Sequence, residues 1–171
     1  MKKVARFEKV SYSQFKQDWL DTFPNASLTD IQGIYENIKL PKRATTGSAG
    51  YDFFSPIAIH LSPKETIKIP TGIRVYIQEG WVLQIFPRSS LGFKYRLQMN
   101  NTVGIIDSDY YDSDNEGHIF IKMTNDTVEN KTVDIPLLQG IAQGIFLPFG
   151  ICVDDDTTEI RNGGFGSTNQ N

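Results

Sequence analysis

From position 41 onward, apolar residues come in short runs separated by turn-forming residues. The segments IAIHL, TIKIP, GIRVYI, WVLQIF, RLQM, HIFIKM, KTVDI and GIFLPF are rich in Ile, Val, Phe and Tyr. Pro63, Gly72, Glu79-Gly80, Asn100-Asn101, Asn125-Asp126 and Asn130 punctuate them. β-Branched and aromatic side chains fit a pleated, half-buried surface, so these runs predict strands. No convincing helix lies between them. Short strands at this spacing predict a mainly β sandwich, jelly roll or barrel, not a doubly wound α/β sheet.

Residues 11–38 have a different period. Phe15, Trp19 and Phe23 recur four apart, one face of a helix, with Ser11 or Ser13 as its N-cap. Pro24 ends that pattern. Leu28, Ile31, Ile34 or Tyr35, and Ile38 then recur at three or four, and Ser27 with Asp30 resembles a capping box. Gly33 weakens this second helix by about 1 kcal/mol relative to Ala. Two short helices cannot bury both apolar faces alone, so they must pack on the rest of the chain, a sister subunit or a partner. After about Val153 the chain turns polar and then glycine-rich, and this tail is expected to be mobile unless something holds it. The organisation expected is an N-terminal helical extension (1–40), a β body (41–155) and a flexible C-terminal arm (156–171).

At 171 residues the chain has the length of one ordinary domain. Hydrophobic residues make up 39% and charged ones 22%, a globular balance, and the net charge of −3 disfavours a nonspecific binder of nucleic acid or membrane surface. No run approaches the length of a membrane span, and the basic start MKKVARF has no apolar stretch behind it, so a cytoplasmic protein is expected. The single cysteine, Cys152, excludes an intramolecular disulfide and a cysteine-rich zinc site, and its apolar neighbours predict a buried structural thiol.

Five segments have compositions unusual for plain strands or turns. In GSAGYDFFSP (47–56) Asp52 follows a small-residue turn at a strand start, which taken alone is all it need be. In FPRSSLGFK (86–94) Arg88, Ser89, Ser90 and Lys94 suit phosphate oxygens, or form a serine-rich turn. Asp107 lies between an apolar and a polar stretch, where a carboxylate serves as a general base or simply forms a turn. Gln143 is one amide in the apolar run 137–149. In RNGGFGSTN (161–169) three glycines surround Phe165: a flap that orders over a ligand, with Phe165 on a planar ring and Arg161, Ser167 and Thr168 on phosphate, or a disordered terminus. The polar segment 110–117 invites a calcium-loop reading but lacks the twelve-residue ligand pattern, so a solvated hairpin tip is expected. There is no internal repeat, no Walker pattern and no G-x-G-x-x-G after a strand.

In this order the five segments resemble the five motifs of the trimeric dUTPases, over roughly residues 40–169. The resemblance implies a jelly-roll-like β barrel and a homotrimer with three active sites at subunit interfaces, each covered by a C-terminal arm. It implies hydrolysis of dUTP to dUMP and pyrophosphate, limiting uracil incorporation into DNA and supplying dUMP for dTMP synthesis. By the same resemblance Asp107 orients the nucleophilic water as base, and Arg88, Ser89, Ser90 and Gln143 serve the phosphates. Asn101 hydrogen-bonds uracil and Tyr110 packs under the deoxyribose. Arg161, Phe165, Gly166 and Ser167 belong to the arm, which holds the terminal phosphate and stacks on the base. Mg²⁺ is the implied cofactor, held mainly by substrate phosphates, with Asp52 acting on it through water. The chain departs from the family pattern by an insertion before Gly117, by Gly140 where a basic residue is usual, and by one residue fewer between Arg161 and the glycine pair.

Two other classes compete. The related dCTP deaminases share the barrel and an Arg-Ser-Ser-like motif, but their chemistry uses a glutamate at cytosine C4, and GIIDSDY argues against it. A binding or regulatory protein would use residues 11–38 or 111–116 as a partner surface. A catalytically dead regulator should have lost Asp107 or the arm, and both are present.

Overall fold

Each strand run forms a strand in the computed structural model, which describes residues 2–159 and 161. In chain order the elements begin with β1 (Ala5–Lys9), α1 (Tyr12–Thr22), α2 (Leu28–Asn37), β2 (Lys42–Arg43), β3 (Tyr51–Phe54), β4 (Ile59–Leu61), β5 (Thr66–Pro70) and β6 (Ile73–Ile77). There follow β7 (Trp81–Pro87), α3 (Ser89–Tyr95), β8 (Leu97–Met99), β9 (Gly104–Ile106), a 3₁₀ turn (Ser108–Asp112), β10 (Phe120–Asn125), β11 (Val133–Ile135) and β12 (Gly140–Pro148). The fold is mainly β. Its described strands form four sheets, not one closed ladder: β1-β6, β5-β10-β8, β11-β4 and the five-stranded β2-β3-β12-β7-β9.

Period-two burial explains the layering. In β10, Ile121, Met123 and Asn125 are buried while Lys122 is exposed, so alternate side chains face the core. Strand β7, which lies between β12 and β9, buries Val82, Leu83 and Ile85. The core joins residues from all four sheets, including Val75, Phe53, Ile69, Leu83, Ile121 and Val133.

Residues 11–38 pack on their own chain. Ser11 caps α1, its hydroxyl accepting from the Gln14 N–H at 3.2 Å, and Ser27 caps α2 by accepting from Asp30 N–H at 3.1 Å. Each such cap is worth about 1 kcal/mol. Phe15 and Trp19, fully buried and 5.1 Å apart between ring centroids, carry α1 into the common core. Gly72 makes that approach possible. Its φ of +72° suits glycine, and a Cβ there would lie 2.2 Å from Ile38 Cδ1 and 3.3 Å from Phe15.

Four sequence expectations need correction. The N-terminal segment contributes a strand as well as helices: β1 pairs antiparallel with β6, Phe7 opposite Val75. The Ser-rich segment after Pro87 is a short helix, α3. Cys152 is exposed, because the chain has left the sheet by then and no layer covers it. Residues 110–117 are not a solvated tip; Tyr110, Ser113 and Gly117 are buried, and the segment is tied to the N-terminal residues.

Hydrogen bonds to Ser11 and Glu8 make that tie, and one from Arg74 fastens the segment to β6 as well. Glu116 accepts from the Ser11 N–H and hydroxyl at 2.7 Å each, Tyr111 OH donates to Glu8 at 2.6 Å, and Arg74 donates to the Tyr111 carbonyl at 2.6 Å. The Tyr111 hydroxyl holds the Glu8 carboxyl below its ordinary value. At Glu116 burial pushes upward, but the two Ser11 donors outweigh it and the carboxyl also sits low. A depressed folded-state pKa contributes stability that is present above the ordinary glutamate value of 4.5 and is lost as pH falls through the depressed one. The tie should therefore loosen in acid. Glu116→Gln is expected to reduce the fall of the denaturation midpoint between pH 5 and 3; an identical fall in the variant would remove Glu116 from the account.

Candidate active site

Most of the expected site residues that the structure describes fall into two clusters. The first is assembled by β12, which lies between β3 and β7: Gln143 stands across from Asp52 on one side and from Phe86 on the other. Arg88 follows the last residue of β7, and its Nε lies 3.3 Å from Asp52 Oδ1 while Nη1 donates to the Gly140 carbonyl at 3.3 Å. Ser89 and Ser90 begin α3 beside it with exposed side chains. Two glycines give the cluster its shape. A Cβ at Gly50 would lie 2.8 Å from Gln143 Oε1, and one at Gly140 would lie 2.8 Å from Arg88 Nη1. A side chain at 140 would compete with the Arg88 guanidinium for this volume, so the guanidinium would have to shift.

The second cluster surrounds the 3₁₀ turn. Asp107 occupies its N-cap position, yet the side chain makes no cap hydrogen bond. The turn-former reading therefore does not use the carboxylate. Instead Arg161 Nη2 donates to Asp107 Oδ2 at 2.7 Å, and its Nε donates to Asp109 Oδ1 at 2.9 Å. Asp109 was not among the expected site residues; its signal was its position two residues after Asp107 in GIIDSDY. The Arg161 guanidinium lies 5.8 Å from the Tyr110 ring centroid. Tyr110 is 4% exposed, and burial, partly offset by a donor from Asn115, pushes its hydroxyl pKa up to about 12. It stays a neutral donor at any physiological pH. Asn101 is exposed in the turn that enters β9. Phe165, Gly166 and Ser167 lie outside the described residues.

A single chain does not bring the two clusters together. Ile106 stands across from Leu83, which sets Asp107 level with Val82, whereas Arg88 leaves the other end of β7. At about 3.3 Å per residue the offset is about 20 Å. Two surface clefts lie elsewhere: one of about 590 Å³ lined by Tyr12, Leu28 and Gly33 among others, and one of about 340 Å³ beside Ile59 and Ile135.

Among the described residues no group of three or more His, Cys, Asp or Glu side chains is placed to hold a metal ion. Asp52, a single carboxylate 20% exposed and beside Arg88, would suit a hydrated Mg²⁺ that it reaches through water. Among the described residues no helix is long and apolar enough to cross a membrane.

Comparison with known proteins identifies the family. The dUTPase family model matches residues 36–169. The deoxyuridine 5'-triphosphate nucleotidohydrolase of Lactococcus lactis subsp. lactis strain IL1403 is 43% identical over 139 residues, 78% of this chain and 91% of that protein. The crystal structure of dUTPase from Streptococcus mutans superposes with a TM-score of 0.62 at 35% identity, covering 85% of this chain and 97% of that one. A mutant dUTPase from phage phi11 of S. aureus, whose structure reveals the coordination of a structural Mg(II) ion, shares the fold at 21% identity, with a TM-score of 0.63 over 92% of this chain and 98% of that one. The matched span, the ordered motifs and the fold all point the same way: the chain belongs to the dUTPase family.

Proposed function

We propose that this protein hydrolyses dUTP to dUMP and pyrophosphate as a homotrimer whose active sites form between subunits. Family membership supports the activity. The observation that carries the assembly is the offset of about 20 Å between Arg88 and Asp107 along β7, since phosphate grip and base must meet on one substrate. A second observation supports it. Leu147, Phe149, Ile151 and Val153, alternate residues at and beyond the end of β12, are all exposed, and a sister subunit would cover them.

In this reading Asp107 accepts a proton from the water that attacks the α-phosphate. A carboxylate half exposed at the domain edge meets both solvent and substrate. Arg88, Ser89, Ser90 and Gln143 bind the phosphate oxygens, with Asp52 orienting the Arg88 fork. Asp52 would steady, through water, a Mg²⁺ bound with the triphosphate, and that ion would supply compensation for phosphate charge. Tyr110 presses its ring against the deoxyribose, leaving no volume for a 2'-hydroxyl, and Asn101 reads the uracil edge. Arg161 exchanges its carboxylate partners for the terminal phosphate as Phe165, Gly166 and Ser167 close over the base.

Pyrophosphate release from dUTP with Mg²⁺, beside dCTP, dTTP and UTP at equal concentration, tests the reading. Release from dUTP alone is expected. Ammonia from dCTP would move the chain to the deaminase chemistry, and silence on all four from folded protein would refute the enzyme reading.

A further inference from the structure

We infer that Asp18, on α1, is a positioning residue for this reaction: through the buried His118 it holds the Tyr110 ring in place, and so governs how sharply deoxyribose is separated from ribose. The inference rests on the reading of Tyr110 as the ring that faces the sugar.

The relay consists of specific atoms. The Gly72 N–H donates to His118 Nε2 at 2.8 Å, and a backbone amide can only donate. That bond leaves the ring proton on Nδ1, which meets Asp18 Oδ2 at 2.5 Å. Gln14 Nε2 donates to the same oxygen at 2.9 Å. The imidazole is fully buried, with ring centroids 4.7 Å from Phe120 and 6.1 Å from Phe15, so water cannot replace a lost partner. The His118 carbonyl in turn accepts the Tyr110 hydroxyl at 2.7 Å. Asn115 Nδ2 donates to that hydroxyl at 2.9 Å, and Ser113 Oγ donates to the Tyr110 carbonyl at 2.6 Å. The loop from 113 to 118 thus grips Tyr110 at both its phenol and its backbone. Asp18 is the contact by which the N-terminal extension grips the end of that loop nearest the phenol. The extension and the insertion, both additions to the minimal family pattern, act here as one unit.

The test compares Asp18→Ala with Asp18→Asn, whose amide oxygen still accepts the Nδ1 proton. Pyrophosphate release is measured from dUTP and UTP, and amide hydrogen exchange over residues 108–118 without substrate. For Asp18→Ala we expect KM for dUTP to rise about tenfold with a smaller change in kcat, the dUTP-over-UTP preference to fall about tenfold, and exchange to quicken. Asp18→Asn should recover most of each. A folded Asp18→Ala with a lower melting temperature but unchanged preference would reduce Asp18 to a packing role and overturn the inference. If the alanine variant does not fold, Tyr110→Phe cuts the same relay at its last bond, and unchanged preference there overturns it equally. If the wild-type protein releases no pyrophosphate from dUTP, the functional reading fails first. Unchanged exchange in Asp18→Ala would then refute the relay itself.

Discussion

Asp107→Asn is expected to lower kcat for dUTP by about 10²–10⁴-fold, the range a single general base contributes, while leaving nucleotide affinity intact. Asparagine has the shape of aspartate and still hydrogen-bonds a water, but it cannot accept that water's proton. The surroundings allow the substitution: Asp107 makes no cap bond whose loss would unwind the 3₁₀ turn, and Arg161 keeps Asp109 at 2.9 Å. Removing one negative charge beside the phosphates should, if anything, tighten binding. Single-turnover rates and calorimetric titration with a non-hydrolysable analogue separate the two quantities. Turnover within a few-fold of wild type would remove Asp107 as the base. Loss of affinity in parallel with rate would make it a binding group.

Mixing Asp107→Asn with Arg88→Ala subunits should restore activity that neither variant has alone. In the proposed mechanism each variant would carry a different lesion, one in the base and one in the phosphate grip. If one subunit lends Asp107 to a site in which another holds the phosphates through Arg88, random co-assembly of equal amounts leaves about a quarter of sites with both groups intact. The mixture would then rise from near zero to about a quarter of wild-type activity. A site built within one chain gives no such recovery, since every site carries one lesion. The subunits are combined by co-expression or co-refolding, so that they assemble at random. It tests directly the offset between the two ends of β7.

The parts of the structure that were legible in the sequence are those governed by local rules. The apolar runs from IAIHL to GIFLPF became strands because β-branched and aromatic residues at period two suit a sheet face. Ser11 and Ser27 became caps because a short hydroxyl satisfies the first free N–H groups of a helix. The ordered motifs were legible too, and with them the family. Other features had no local signal. In β1 the residues Arg6, Glu8 and Lys9 outnumber the apolar ones, and only pairing with β6, far along the chain, makes a strand of them. Cys152 has apolar neighbours, yet burial needs a covering layer that this chain lacks there.

By itself, the sequence determined the mainly β class, the capped helices and the residue types that phosphate, base and sugar chemistry require. Tertiary structure alone decided which of those residues meet. The register of β9 on β7 sends Asp107 to the end away from Arg88, and a one-residue slip would have turned its side chain to the other face. Packing of α1 against the β5–β6 turn brings Asp18 to His118 across a separation of 100 positions. Such contacts arise from burying one shared core, where shape and hydrogen-bond satisfaction select partners that no window of neighbouring residues contains.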